Sequence, residues 1–127
     1  MVPGAGAEGK MTDDLVLLDV AERVATLTLN RPAALNALSA GMLAALAERL
    51  DTIAGDTGVK VVVIRGAGRA FCAGHDLREM QAARQAPDGG AAAFKALFEA
   101  CAQVMQRIPA LPQPVIAQVH GIATAAG

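Results

Sequence analysis

Two hydrophobic periods alternate along this chain, one near 2 and one near 3.6 residues, and they predict a recurring order of strands and helices. Leu15-Val16-Leu17-Leu18-Asp19-Val20 reads as a strand and Ala21-Glu22-Arg23 as a turn. Val24-Ala25-Thr26-Leu27-Thr28-Leu29 alternates and is rich in β-branched residues, so it reads as the hairpin partner. Asn30-Arg31-Pro32 stops that strand, and Ala33 to Leu38 forms a connection. Ser39 is the predicted N-cap of a helix from about Ala40 to Ala54, with Leu43, Leu46, Leu50 and Ile53 on one face and Gly55 closing it. Val59 to Ile64 is apolar at consecutive positions, which predicts a strand covered on both faces.

Phe71-Cys72-Ala73-Gly74-His75-Asp76-Leu77 follows that strand and reads as a small-residue loop running into a helix. Asp76 is the expected N-cap, with Leu77 to Gln81 helical. Gln85 to Gly90 is a loop. Phe94, Leu97, Phe98, Cys101, Val104, Met105 and Ile108 then recur at helical spacing as a core-facing stripe that ends near Pro109. Val115 to Val119 is a last strand, leading into His120-Gly121-Ile122-Ala123-Thr124-Ala125-Ala126-Gly127. Strand-to-loop junctions of this kind aim backbone N–H groups into open space, and two of them supply two donors to one developing negative oxygen.

The composition narrows the function classes. The 127 residues suffice for one core, and a hydrophobic content of 54% is that of a packed globular chain. Aromatics make up 2% and the net charge is −1, so neither base stacking nor a basic footprint points to nucleic acid. No apolar run has the length of a membrane span, because Pro109, Pro112 and Pro114 interrupt the nearest one. Cys72 and Cys101 lack the partners of a zinc site and read as reduced, partly buried thiols. Residues 1–14 read as a flexible Gly/Ala-rich leader without the apolar segment of a secretory signal, and the expected location is the cytoplasm. The expected domain covers 15–127 and is incomplete, because a glycine-bearing strand-to-loop junction at its end should open a helix.

Four stretches in order carry a family resemblance: Val24 to Pro32, Ala34-Leu35-Asn36-Ala37-Leu38, Arg69 to Leu77, and Pro114 to Gly121. The chain resembles the N-terminal half of the crotonase (enoyl-CoA hydratase/isomerase) superfamily. Within it, Cys72 to Leu77 together with Gly121 to Gly127 is similar to the subgroup called enoyl-CoA hydratase domain-containing protein 3. The resemblance implies an α/β fold, the crotonase-like spiral of ββα units, truncated here at its C-terminus. It implies an acyl-CoA thioester as ligand, no metal and no cofactor beyond the coenzyme A of the substrate, and assembly as a homotrimer or hexamer.

The resemblance also assigns roles. The backbone N–H groups of His75 and Ala126 would form an oxyanion hole, with Ala126 in the middle place of the family's usual three glycines. Ala125 and Ala126 depart from that pattern, and alanine tolerates positive φ poorly. Leu35, Ala37, Ala73, Gly74, His75, Asp76, Leu77, Arg78 and Ala126 would contact the ligand. The His75 imidazole leaves two readings open, a general base or a pocket wall. Arg78 likewise is either a phosphate partner or a solvated helix charge, and Arg31-Pro32 is a turn with a local ion pair. The acid/base carboxylates of hydratases lie beyond the matched positions, and Glu79 and Glu99 read as solvated. Hydration of a 2-enoyl-CoA is therefore expected of a longer form, with a catalytically silent acyl-CoA-binding protein as the alternative.

Overall fold

The computed structural model describes residues 14–127, so the expected leader lies almost wholly outside the described residues. The chain begins with a hairpin, β1 (Val16–Ala21) and β2 (Val24–Leu29), paired from Val16↔Leu29 to Ala21↔Val24. Its two turn residues, Glu22 and Arg23, both have positive φ, 50° and 69°. That is the geometry a two-residue hairpin needs to match the twist of its strands. A 3-10 turn (Pro32–Ala34) leads to α1 (Ala40–Ala54), which starts where the sequence places it: the Ser39 side chain accepts from the Met42 N–H.

The chain then forms β3 (Val61–Gly66), β4 (Ala70–Cys72), α2 (Leu77–Ala83), α3 (Ala91–Ala110), β5 (Val115–Ala117) and β6 (Ile122–Ala123). The order strand, strand, helix thus occurs twice and a third unit begins. One sheet runs β1-β2-β3-β5, with β1 antiparallel and the rest parallel; the other is the parallel pair β4-β6.

The core lies between one face of the larger sheet and the helices α1 and α3. Ala25, Leu27, Val62 and Ile64 meet Leu43, Leu46, Leu50 and Ile53 of α1 and Leu97, Cys101 and Val104 of α3 in one buried cluster. The expectation that β3 is covered on both faces is corrected. Val62 and Ile64 are buried, but Val61 and Val63 are only half-buried, because the helices among the described residues pack on one side. The α3 stripe is also wider than its contact: Phe98 and Met105 stay 48% and 39% exposed while Leu97, Cys101 and Val104 are buried. The β3 strand starts two residues later than expected, because its ladder with β2 opens at Val24↔Val61.

The start of α2 is the second fixed point. The Asp76 carboxylate accepts from the Arg78 and Glu79 N–H groups with Oδ1, at 3.1 and 3.2 Å, and from the Arg31 guanidinium with Oδ2, at 2.7 Å. Burial pushes this carboxyl up, but the Arg31 guanidinium and the two N–H donors outweigh it and hold it below its usual value. Arg31 thereby ties the end of the hairpin to the start of a helix 45 residues on.

Two stability predictions follow from this packing. Ile53→Ala, at a side chain 1% exposed in the α1 seam, should cost about 2–5 kcal/mol in urea unfolding. Asp76→Ala should cost about 1–2 kcal/mol, mostly through the lost cap. Because the folded carboxyl lies below its ordinary 3.8, the charge-linked part of this gain is full above that value. It is lost as pH falls through the folded pKa. Unfolding curves of native and variant chains should converge toward acid pH and stay apart at neutral pH.

Candidate functional site

The small sheet brings the two strand-to-loop junctions together. β4 and β6 pair at Ala70↔Ile122 and Cys72↔Ala123, and the Thr124 N–H donates to the Cys72 carbonyl at 3.2 Å. Beyond that bond the chains still run side by side. A Cβ built on Gly74 would lie 3.0 Å from the Ala125 methyl and 3.4 Å from the Ala126 nitrogen. With φ at +91°, Gly74 is in a conformation that L side chains avoid.

On the other side, the segment after Gly74 is laced to the loop before α1. Ala73 N–H donates to the Leu35 carbonyl at 3.0 Å, Leu38 N–H to the Gly74 carbonyl at 2.7 Å, and Asp76 N–H to the Leu38 carbonyl at 3.2 Å. Among the hydrogen bonds of the described residues, none is donated by the His75 or the Ala126 N–H. These are the two groups that the family resemblance assigns as donors.

The expected ligand contacts divide between two cavities. Leu35, Ala37, Ala73, His75, Asp76, Leu77 and Arg78 line one of about 340 Å³, with Arg31 at its wall. Ala126 lines a second, apolar one of about 310 Å³, together with Phe71, Cys72, Val104 and Met105. Gly74 stands between them, joined to His75 in the chain and facing Ala125 and Ala126 across it. Leu77 is 75% exposed at the mouth of the first cavity, and Arg78 is exposed beside it. A third cavity, about 410 Å³ and apolar, lies between α2 and α3, lined by Met80, Ala83, Phe94 and Leu97.

The His75 ring packs edge-on against Phe98, centroids 5.3 Å apart at 74°, and its Nδ1 is buried without a hydrogen-bond partner. That placement makes the imidazole part of a wall. Burial pushes the Cys72 thiol up despite a bond to Gly74 and so favours its protonated form, and Cys101 is raised by burial alone. Among the described residues, no three His, Cys, Asp or Glu side chains gather as a metal site.

Sequence reasoning missed two residues that build this region. Asn36 is fully buried, and its side chain bonds to the Arg31 N–H and to the carbonyls of Ala67, Ala70 and Phe71. Its only signal in the sequence is an amide between Leu35 and Ala37-Leu38. Glu79 was read as solvated, and this is corrected. Its Oε1 accepts from the Ala40 N–H at 2.9 Å, at the first turn of α1, where unsatisfied N–H groups favour a carboxylate. Arg31 makes an ion pair, as expected, but not a local one: its partner is Asp76, 45 residues on.

Comparison with known proteins places this geometry. The sequence profile of the enoyl-CoA hydratase/isomerase family matches residues 24–127. The zebrafish (Danio rerio) mitochondrial enoyl-CoA hydratase domain-containing protein 3 is 38% identical over 93% of this chain and 40% of its own length. The 1,2-epoxyphenylacetyl-CoA isomerase of Escherichia coli is 39% identical over 90% of this chain and 43% of its own. Among solved structures, an enoyl-CoA hydratase of Mycobacterium smegmatis superposes with a TM-score of 0.81 at 55% identity, covering 89% of this chain and 42% of that one. Human enoyl coenzyme A hydratase domain-containing protein 3 gives 0.78 at 31% identity, over 88% and 42%. The chain thus spans about two fifths of the length of these relatives. The crotonase-like fold expected from the sequence is the fold found, and the chain belongs to the enoyl-CoA hydratase/isomerase family.

Proposed function

We propose that the chain binds an acyl-CoA thioester and stabilises its enolate oxyanion with the His75 and Ala126 N–H groups. The observation that carries this reading is that two N–H groups from different junctions, both without an acceptor among the described residues, flank the same glycine. Preorganised donors of this kind are typically worth about 2.7–4 kcal/mol each toward the transition state. Both belong to the backbone, so the proposed polarisation needs no metal or redox group. Coenzyme A enters as part of the substrate, along the cavity lined by Leu35, Ala37 and Ala73 to Arg78, with Arg78 as its cation, since Arg31 is paired with Asp76. The E. coli relatives act, by name, on CoA thioesters, one as an isomerase and one as a hydratase of 2,3-dehydroadipyl-CoA.

Hydration of a 2-enoyl-CoA in a longer form is our reading of the complete reaction. A silent acyl-CoA-binding protein is the second reading, and one observation favours it. Asp76 and Glu79, the carboxylates nearest His75 in sequence, are occupied with helix N–H groups and Arg31. Assembly as a trimer or dimer of trimers is a proposal that rests on the resemblance, and a cytoplasmic location is one that rests on the composition of residues 1–14.

Dimethylaminocinnamoyl-CoA tests the oxyanion reading, because its absorption moves to longer wavelength when its thioester carbonyl is polarised. We expect a red shift on binding to the native protein; saturable binding with no shift would overturn the hole. Residues 1–127 alone should bind without steady turnover of crotonyl-CoA. Sustained hydration that a site substitution abolishes would contradict that.

Ala125 has φ 54°, a conformation that costs an L residue about 1–2 kcal/mol. Ala125→Gly should therefore retain the red shift and raise stability by up to about 1 kcal/mol, since glycine's extra unfolded-state entropy offsets part of the relief. Thermal unfolding and the same spectrum check both.

A further inference from the structure

We propose that Asn36 is the positioning residue for the His75 donor, acting through the Leu38–Gly74 hydrogen bond; the inference rests on the oxyanion reading above. In a trans peptide the C=O and N–H lie in one plane and point in opposite directions. The Gly74 carbonyl accepts from the Leu38 N–H at 2.7 Å. The His75 N–H, at the other end of that plane, is therefore turned away from the loop that holds Leu38. Where Leu38 sits decides where the donor points.

The loop does not hold that place by local preference. Leu35 and Asn36 are consecutive left-handed residues, φ 54° and 55°. Leucine resists this conformation, and asparagine tolerates it better than most. What fixes the loop is the Asn36 side chain. Its Nδ2 reaches the carbonyls of Ala67, Ala70 and Phe71 at 3.0, 3.0 and 3.1 Å, so two N–H groups serve three acceptors. Its Oδ1 accepts from the Arg31 N–H at 2.8 Å, and its own carbonyl accepts from the Cys72 thiol at 3.1 Å.

The residue is 0% exposed, so water cannot take over any of these bonds. One amide thus sets the loop against β4 and its approach from β3. Through Leu38, it also sets the peptide that carries the donor. Aspartate would place an acceptor against three acceptors, and a residue without a donor would remove the bonds to all three carbonyls.

Two variants test this with the bound dimethylaminocinnamoyl-CoA spectrum at saturation, which reports polarisation per bound ligand rather than affinity. Asn36→Gly keeps the left-handed backbone and deletes the amide. It should still bind, with more than half of the red shift lost. Asn36→Asp should show a weak shift at neutral pH that recovers on acidification, because the protonated carboxyl regains one donor. The native shift should stay flat over the same range.

A saturating shift equal to the native one in Asn36→Gly would make Asn36 merely structural and overturn the proposal. So would a full, pH-independent shift in Asn36→Asp, which decides the matter where Asn36→Gly fails to fold. A native protein that binds without any shift removes the oxyanion reading and this inference with it. A native shift that both variants keep removes only the positioning role.

Discussion

Leu35–Leu38 and Ala73–Asp76 lie side by side, joined by three backbone hydrogen bonds but lacking the regularity of a strand pair. Such a contact costs backbone entropy in both partners. The buried Asn36 amide offsets this by donating to three carbonyls, and a buried polar group left unpaired costs about 1–3 kcal/mol. The elements around it depend on this seam. Ser39 caps α1 one residue past Leu38, Asp76 caps α2 one residue past His75, and Arg31 bridges from the hairpin's end to Asp76. The carboxylate of Glu79 closes the loop by returning from α2 to the first turn of α1. Two helix starts and two cavity walls therefore share one rigid frame, which the small sheet then sets against the second junction.

The parts of the fold legible in the sequence are those decided locally. The bounds of β2 and α1 fall where alternation, the Ser39 cap and the Leu43–Ile53 face place them, and α2 begins at its Asp76 cap. What the sequence does not carry is set by partners. β4 and β6 have three and two residues, too few for any periodicity, and exist because each pairs with the other. The last strand ends at Ala117 rather than Val119 for the same reason: its ladder with β3 runs out at Ile64↔Ala117. Periodicity also overstates burial. Phe98 belongs to the α3 stripe by spacing, yet its ring is half exposed and packs against His75. The spacing identifies a face but not its width.

The site was legible in a different way. Composition and period point to no donor; small residues between strand and helix start point to the junction, since they leave N–H groups open at a helix's positive end, and the family motif names the groups within it. That reasoning picks out the stretch around His75 without knowing that β4 intervenes between β3 and the loop. It cannot find Asn36, because nothing in Leu35-Asn36-Ala37-Leu38 says that three carbonyls from residues 67–71 will converge on one amide. A polar residue inside a short apolar run is the one hint, and by itself it does not separate a buried hub from a solvated turn. Glu79 eluded the same reasoning, because its partner is 39 residues away.

The departure from three glycines can be resolved position by position. Ala125 carries the positive φ, Ala126 does not, and Gly127 backs onto the Cys72 carbonyl so closely that a Cβ has no room. The demand for glycine is therefore steric at 127 and conformational at 125. At 126, the place of the proposed donor, φ is not positive, and an alanine there keeps its N–H at no conformational cost. The strain of the substitution falls on the neighbour. It is borne by a turn whose ends are held from both sides, by Thr124 N–H on Cys72 and by Gly127 N–H on the Thr124 carbonyl at 2.8 Å. A donor can thus tolerate alanine where its supporting turn is anchored, which makes that anchoring, rather than the glycine count, the physical requirement on this segment.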